Sequence, residues 1–426
     1  MKIFLVQSYL GGNEPLVVPL GLLCLASTLD EHDVRIFDTN STDLPFVELQ
    51  DRVMEFAPDI IGISLRNIDS TNKTRIVFYY KYLTQLLDSL SGYTRAKIIV
   101  GGSGFSMFAD EIMARETRID FGVYLEGERT FPELLSKLET PQKVPSVYYR
   151  HNGRVLFSGH CRPLDVSKLP KPRWNSLVDG NPYIKGKNVF GIETKRGCAL
   201  GCIYCVYGFL NGKKYRLKKP GDVVDEIEEL IRVHDVKQFT FVDSIFNIPF
   251  EYAKDICQEL VLRKLPVSWS AFFNEHFLDK DFLHLLEKAG CDHIILSPDG
   301  FSDSVLKVLG KNITQKQIRR SYRLLRDHDH FEVSYNFFKN PPGQTLANFF
   351  GLLLFCLKAK IQLGNRVHFE FSVMRIEPHT RLKDIAVSER VITQDQCLLE
   401  PYYYKNKKTW YIEILFNKLL SLWGRK

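Results

Sequence analysis

Short apolar runs alternate with stretches of helical period along the first 140 residues. The runs at 3–6, 34–38, 59–65, 96–102 and 120–127 are each followed by a helical pattern. Alternation of buried apolar strands with helices predicts a doubly wound parallel sheet, a Rossmann-like domain over 1–140. Such sheets bind ligands at the carboxyl ends of their strands. Here those ends are small and polar: 11–13 (Gly11, Gly12), 38–40, 101–106 (Gly101, Gly102, Ser103, Gly104) and 126–128 (Glu126, Gly127). Any one of them could be a tight turn only. Four on one edge point to a nucleotide-like ligand that backbone can approach closely.

Periodicity is poor from 141 to 187, where proline and lysine are dense, which predicts a connector. A second alternation starts at 188. Its strand runs are 189–194, 239–243, 267–273, 293–297, 333–338 and 368–372, with helical patterns between them such as 220–234 and 279–290. Six strand–helix units over 188–375 predict an α/β partial (β/α)6 barrel of the TIM type, with its active face at the strand carboxyl ends. The rest, 376–426, is a small closing region that holds Tyr402, Tyr403 and Tyr404 and ends in an aromatic amphipathic helix, 409–426. That helix is expected to dock on its own domain; the alternative is a membrane surface.

Composition narrows the class. The 426 residues are too many for one ordinary core. The +7 net charge is mild for this length and the basic residues are dispersed, so no nucleic-acid groove is indicated. No run of 18 uninterrupted apolar residues occurs, and no transmembrane segment is expected. The apolar amino terminus is interrupted at 11–15, which favours strand, loop and helix over a signal peptide. Six of the nine cysteines are scattered singly, which is not a disulfide framework and fits a reducing cytoplasm.

The other three are crowded. Cys198, Cys202 and Cys205 lie in the loop after the first strand of the second alternation, with Gly197 and Gly201 beside them. A closed zinc site needs four ligands, and only three are local. A distant fourth ligand would allow zinc. Three thiolates and one open position suit an iron–sulfur cluster.

Cys198-Ala-Leu-Gly-Cys202-Ile-Tyr-Cys205 resembles the signature of the radical SAM superfamily. The resemblance implies that the three cysteines hold a 4Fe-4S cluster whose open iron chelates S-adenosylmethionine (SAM). It implies SAM contacts at Tyr204, Asp243, Ser297, Asp299 and Asn336. The stretch Ser297-Pro298-Asp299-Gly300 departs from the Gly-Ile-Glu-Ser-like pattern of many members, so the contacting side chain there is open. The stretches 239–247, 269–311, 337–345 and 374–382 extend the likeness. A doubly wound domain ahead of the barrel resembles the cobalamin-binding subclass, so the likeness spans about 1–375. It implies cobalamin at Gly11, Gly12, Arg66, Gly101, Gly102, Ser103, Gly104, Glu126 and Gly127.

The loop 8–19 lacks the histidine that ligates cobalt in methionine-synthase-type domains. His32 reads as a solvated surface residue. Arg66, after the third strand, faces the lower cobalt side or else pairs with Asp69; a guanidinium has no lone pair to give a metal. An arginine there without the histidine motif is similar to thiopeptide tryptophan C-methylases. The implied activity is methyl transfer from SAM, via methylcobalamin, to a carbon of a biosynthetic intermediate. The alternative is a cobalamin-dependent cyclisation, rearrangement or oxidation without methyl transfer. The implied partners are a small-molecule substrate and an electron donor such as flavodoxin or ferredoxin. Strand-end placement adds Glu275, Tyr335, Asn336, Arg375 and Tyr402 to Tyr404 as candidate substrate contacts. The three tyrosines could equally be packing.

Overall fold

The computed structural model describes residues 1–12, 14–176, 183 and 190–423, without the side chains of 422 and 423. Asn13 of the first glycine loop, most of the connector beyond 176, the first residue of the 189–194 run and the basic end 424–426 lie outside the described residues. The chain forms two compact units. One is Met1–Gly191 with Arg232–Val236; the other is Ile192–Ile231 with Lys237–Lys426.

The first unit holds a seven-stranded sheet of β1 (Lys2–Gln7), β2 (Asp33–Asp38), β3 (Ile60–Ser64), β4 (Lys97–Gly101), β5 (Phe121–Val123), β6 (Val147–His151) and β7 (Arg154–Phe157). The order is β2-β1-β3-β4-β5-β6-β7. The first five strands pair in parallel. Their continuous apolar runs are what burial on both faces requires: five of the six residues of β1 are buried. The chain steps from β1 to β2 on one side and to β3 on the other. The carboxyl ends of β1 and β3 therefore flank the switch point, where a doubly wound sheet opens its crevice.

The antiparallel β6–β7 hairpin corrects the sequence reading, which placed 141–187 in a connector. Asn152 and Gly153 both have positive φ, 49° and 74°. Asn-Gly is the strongest short hairpin signal, because both central residues of a tight primed turn need that conformation.

The second sheet has β8 (Phe190–Ile192), β11 (Gln238–Phe241), β12 (Ser268–Phe273), β13 (Cys291–Asp299), β14 (Glu332–Phe338) and β15 (Val367–Ser372). These run in sequential order, with β8 and β15 at the edges. The pairings from β11 to β15 are all parallel. Sequential parallel winding that leaves two edges is the expected partial barrel. An aromatic cluster fills it: Phe241 lies 4.8 Å from both Phe246 and Trp269. Each such buried ring contributes roughly 1.5–3 kcal/mol by leaving water. A short ladder of β9 (Lys195–Arg196) with β10 (Arg216–Leu217) closes the base of the cysteine loop.

The helix Trp410–Trp423 docks on this unit, as expected. Ile412 and Phe416 are fully buried, and the Phe416 ring lies 5.3 Å from Phe349 and 4.7 Å from Phe371. The helix Leu346–Leu363 carries Phe349. By length and composition it is apolar enough to cross a membrane. One of its faces packs on the barrel, with Phe355 4.8 Å from Phe301 and 5.4 Å from Tyr335.

Candidate functional site

The cysteine loop leaves β9 through Gly197, which has φ +100°. A Cβ there would sit 2.1 Å from the Lys214 carbonyl oxygen, so the loop can fold back on itself only at glycine. The Cys198 N–H donates to the Gly212 carbonyl at 3.0 Å. Ile203, between the second and third cysteines, is held from both sides. Its N–H donates to the Leu309 carbonyl at 3.0 Å, and its carbonyl accepts from Leu382 N–H at 2.8 Å. The segment 374–382 thus reaches the loop, and His379 stacks on Phe209 at 4.0 Å.

The three thiols converge. Burial is the larger cause that pushes the Cys202 thiol up and the Cys205 thiol to about 12, and the charges of the neighbouring cysteines add to it. Three clustered thiols form a donor set suited to a cationic metal, which would hold them as thiolates. The Tyr215 hydroxyl is buried beside Cys198 and finds no nitrogen or oxygen partner among the described residues. Beside the Cys198 sulfur, it is a donor of the kind a cluster sulfide could accept. The residues present therefore fit a 4Fe-4S cluster.

Four of the five expected SAM residues form one network. The Tyr204 hydroxyl donates to the Asp299 carboxylate, which also pairs with Lys311. Lys311 donates to the Ser297 carbonyl at 2.6 Å, and the Asn336 amide donates to the Ser297 hydroxyl at 3.1 Å. The departure Ser297-Pro298-Asp299 has a visible consequence. The register with β14 shifts there, and Asp299 takes φ 62°, which turns its carboxylate toward Tyr204 and Lys311. Burial opposes the Lys311 charge, but Asp299 and Cys202 outweigh it and its pKa rises. Lys311 was not anticipated. It sits in the turn Leu309-Gly310-Lys311-Asn312, and no periodicity marks a turn lysine as buried.

Glu275, at the end of β12, is 2% exposed. Burial pushes its pKa up to about 7, with Lys311 acting in the opposite sense. With that pKa, Glu275 can gain or lose its proton near neutrality. Among the described residues, neither Glu275 Oε1 nor the buried Tyr335 hydroxyl meets a hydrogen-bond partner within normal geometry.

Asp243 differs from the expectation. Its carboxylate accepts from Thr194 N–H at 2.9 Å and Thr194 Oγ1 at 2.5 Å. It also accepts from Lys195 N–H at 3.2 Å and Lys195 Nζ at 2.7 Å. Both side chains of the Lys195 pair are shut from water, at 1% and 0% exposure. Asp243 anchors the strand that delivers the cysteine loop. Arg375 is likewise engaged, with Glu377 at 2.5 Å and the Leu398 carbonyl at 3.0 Å. Tyr402 and Tyr404 pair through backbone with Ile376 and Met374, and the Tyr404 hydroxyl donates to Glu389 at 2.6 Å. For Tyr404, which is buried, the packing alternative describes the structure.

In the first unit, Gly102, Ser103 and Gly104 serve the protein's own backbone. A Cβ on Gly102 would lie 2.7 Å from the Leu65 carbonyl oxygen, and one on Gly104 would lie 2.9 Å from it. The Gly104 N–H donates to the Leu65 and Arg66 carbonyls at 2.9 and 3.0 Å, and the Ser103 hydroxyl donates to Arg66 O at 2.7 Å. Gly101, at the end of β4, accepts from Leu65 N–H at 2.9 Å. The glycine loop is thus a clamp on the segment that carries Arg66. Arg66 itself is exposed after β3; burial pushes the nearby Asp38 carboxyl up, and the Arg66 charge opposes this only weakly. Gly11, with φ +89°, and Gly12 lie after β1, a few residues beyond Ser8, whose buried hydroxyl has no partner among the described residues. These residues stand at the switch point, and the orphaned Ser8 hydroxyl fits a polar ligand there. Glu126 accepts from Leu164 N–H at 2.9 Å, and Gly127 opens the helix Gly127–Leu135. His32 is half-buried rather than solvated and stands before β2, at the opposite edge of the sheet.

Comparison with known proteins agrees with this reading. Residues 14–135 match the B12 binding domain and residues 192–355 match the radical SAM superfamily. The chain is 26% identical, over 88% of its length and 79% of the relative's, to a protein of Pyrococcus horikoshii named uncharacterized methyltransferase PH0819. It is 28% identical to the anaerobic magnesium-protoporphyrin IX monomethyl ester cyclase of Synechocystis, over 73% of this chain and 62% of that one. The fold matches the radical SAM methyltransferase TsrM from Kitasatospora setae, solved with tryptophan and a SAM analogue. The TM-score is 0.79, with 22% identity, 91% of this chain and 76% of the other.

Proposed function

We propose, for a chain that carries a B12-binding domain followed by a radical SAM domain, that it is a C-methyltransferase. It would move a methyl group from SAM, by way of cobalamin, to a carbon of a small-molecule biosynthetic intermediate. The observation that supports this most is the pairing of the cysteine loop with the Tyr204–Asp299–Lys311–Ser297–Asn336 network at one end of the barrel strands. The methyltransferase named among the relatives aligns along most of the chain and supports the same reading. The cyclase relative supports a second one, a cobalamin-dependent ring closure without methyl transfer.

When bound, the reduced cluster supplies an electron for SAM cleavage and the corrin supplies a methyl carrier. The chain's own residues do the rest. Cys198, Cys202 and Cys205 would hold the cluster, and Tyr215 would donate toward it. Ser297 and Asn336 would bind SAM, with Asp299 and Lys311 fixing their positions. Asp243 holds the loop from behind. Glu275, with a pKa of about 7, can take up the proton that a carbon loses on methylation. Gly11, Gly12 and Arg66 are offered to the corrin, and Arg66 cannot ligate cobalt. A protein electron donor such as flavodoxin or ferredoxin and a reducing cytoplasm fit a low-potential cluster and nine cysteines without a disulfide.

The test is the fate of the methyl group. Reconstituted enzyme given a reductant, trideuteromethyl-SAM and a pool of candidate intermediates should yield a product carrying the label on carbon. Turnover to a product that has lost hydrogens and carries no label would replace methyl transfer with the ring-closure reading.

A further inference from the structure

The opposite end of the barrel holds a cluster that the proposed reaction does not use. His284 and Glu287 lie on the helix Lys280–Lys288 at i and i+3, the spacing that puts two side chains on one face. His328 follows the helix Gln315–Asp327, and His330 precedes β14. Glu287 Oε2 is 2.9 Å from His328 Nε2 and 3.8 Å from His284 Nδ1, and its Oε1 is 3.7 Å from His330 Nδ1. One donor atom each from His284, Glu287 and His328 lies within 4.8 Å of the other two. Bonds of about 2.0–2.2 Å in a tetrahedral zinc site place its donors roughly 3.4 Å apart, so only small side-chain rotations are needed.

The surroundings favour ligation. His330 Nε2 is 2.9 Å from the Cys291 carbonyl, which can only accept. That nitrogen therefore carries the hydrogen, and Nδ1 turns its lone pair toward Glu287. The His328 ring lies against Phe331, 5.1 Å away and 23° from parallel, which limits its rotation. His284 is 67% exposed, so an ion can enter.

We propose that His284, Glu287 and His328, with His330 as the fourth ligand, form a site for a divalent transition-metal ion, zinc being the intended occupant. Imidazoles with one carboxylate are zinc donors, whereas magnesium and calcium prefer oxygen ligands. The ion would tie the helix before β13 to the entry of β14. Barrel residues at the amino ends of strands serve stability rather than chemistry, and this site would do the same.

The test uses tag-free, cluster-reconstituted protein incubated with zinc chloride and desalted. Wild type should keep about one zinc per chain beyond its iron, and zinc should raise its melting temperature. The variant His284→Ala/His328→Ala should lose that zinc and the shift, with iron and visible spectrum unchanged. Glu287→Gln, which keeps size and hydrogen bonding, should weaken zinc binding by at least about tenfold, the least that losing even an outer-shell partner costs. Equal zinc in wild type and both variants, or no zinc in wild type, would overturn the proposal. The four side chains would then be an ion-pair network only.

Discussion

Cys202→Ala is expected to give a colourless protein that keeps under about one iron per chain after anaerobic reconstitution, where wild type keeps about four. In the proposed assignment three thiolates are the whole protein ligand set, and Cys202 is the middle one. Its neighbours Cys198 and Cys205 cannot close a cluster with two sulfurs. The fold should survive, because Cys202 is only half-buried and alanine fits its backbone. Ile203 stays anchored through its backbone bonds to Leu309 and Leu382. Circular dichroism should therefore match wild type while iron is lost. A brown variant with full iron would remove the cluster assignment.

Asp243→Ala is expected to cost about 3–5 kcal/mol of stability, because it leaves the Lys195 ammonium buried and unpaired. The carboxylate accepts four hydrogen bonds from Thr194 and Lys195, which stand next to the cysteine loop. Cluster occupancy should fall with stability. The double variant Lys195→Met/Asp243→Ala should recover more than half of the loss, since removing both charges also removes the desolvation cost. Denaturant midpoints of wild type, the single variants Asp243→Ala and Lys195→Met, and the double variant check this. If Asp243 were instead a SAM contact, the single variant would keep its midpoint and lose only SAM affinity.

Both strand sets were legible because buried parallel strands leave continuous apolar runs, and the cysteine triplet was legible because its spacing is chemistry in itself. The ambiguities share a cause. A glycine permits close approach whether the neighbour is a ligand or the chain, and Gly102 and Gly104 admit the backbone at Leu65 and Asn67. A strand-end aspartate can face a cofactor or a buried lysine, and Asp243 faces Lys195. Lys311 carried no sequence signal, because burial of a turn lysine is decided by the distant Asp299. The β6–β7 hairpin did carry one, Asn152-Gly153, set among residues whose proline and lysine content suggested a connector.

The most direct measurement is iron and corrin content after anaerobic reconstitution of the full chain with iron, sulfide and hydroxocobalamin, followed by desalting. The account predicts about four irons and one corrin per chain, with the visible spectra of both. Four irons with no retained corrin would contradict it, leaving a radical SAM enzyme whose first domain serves another ligand.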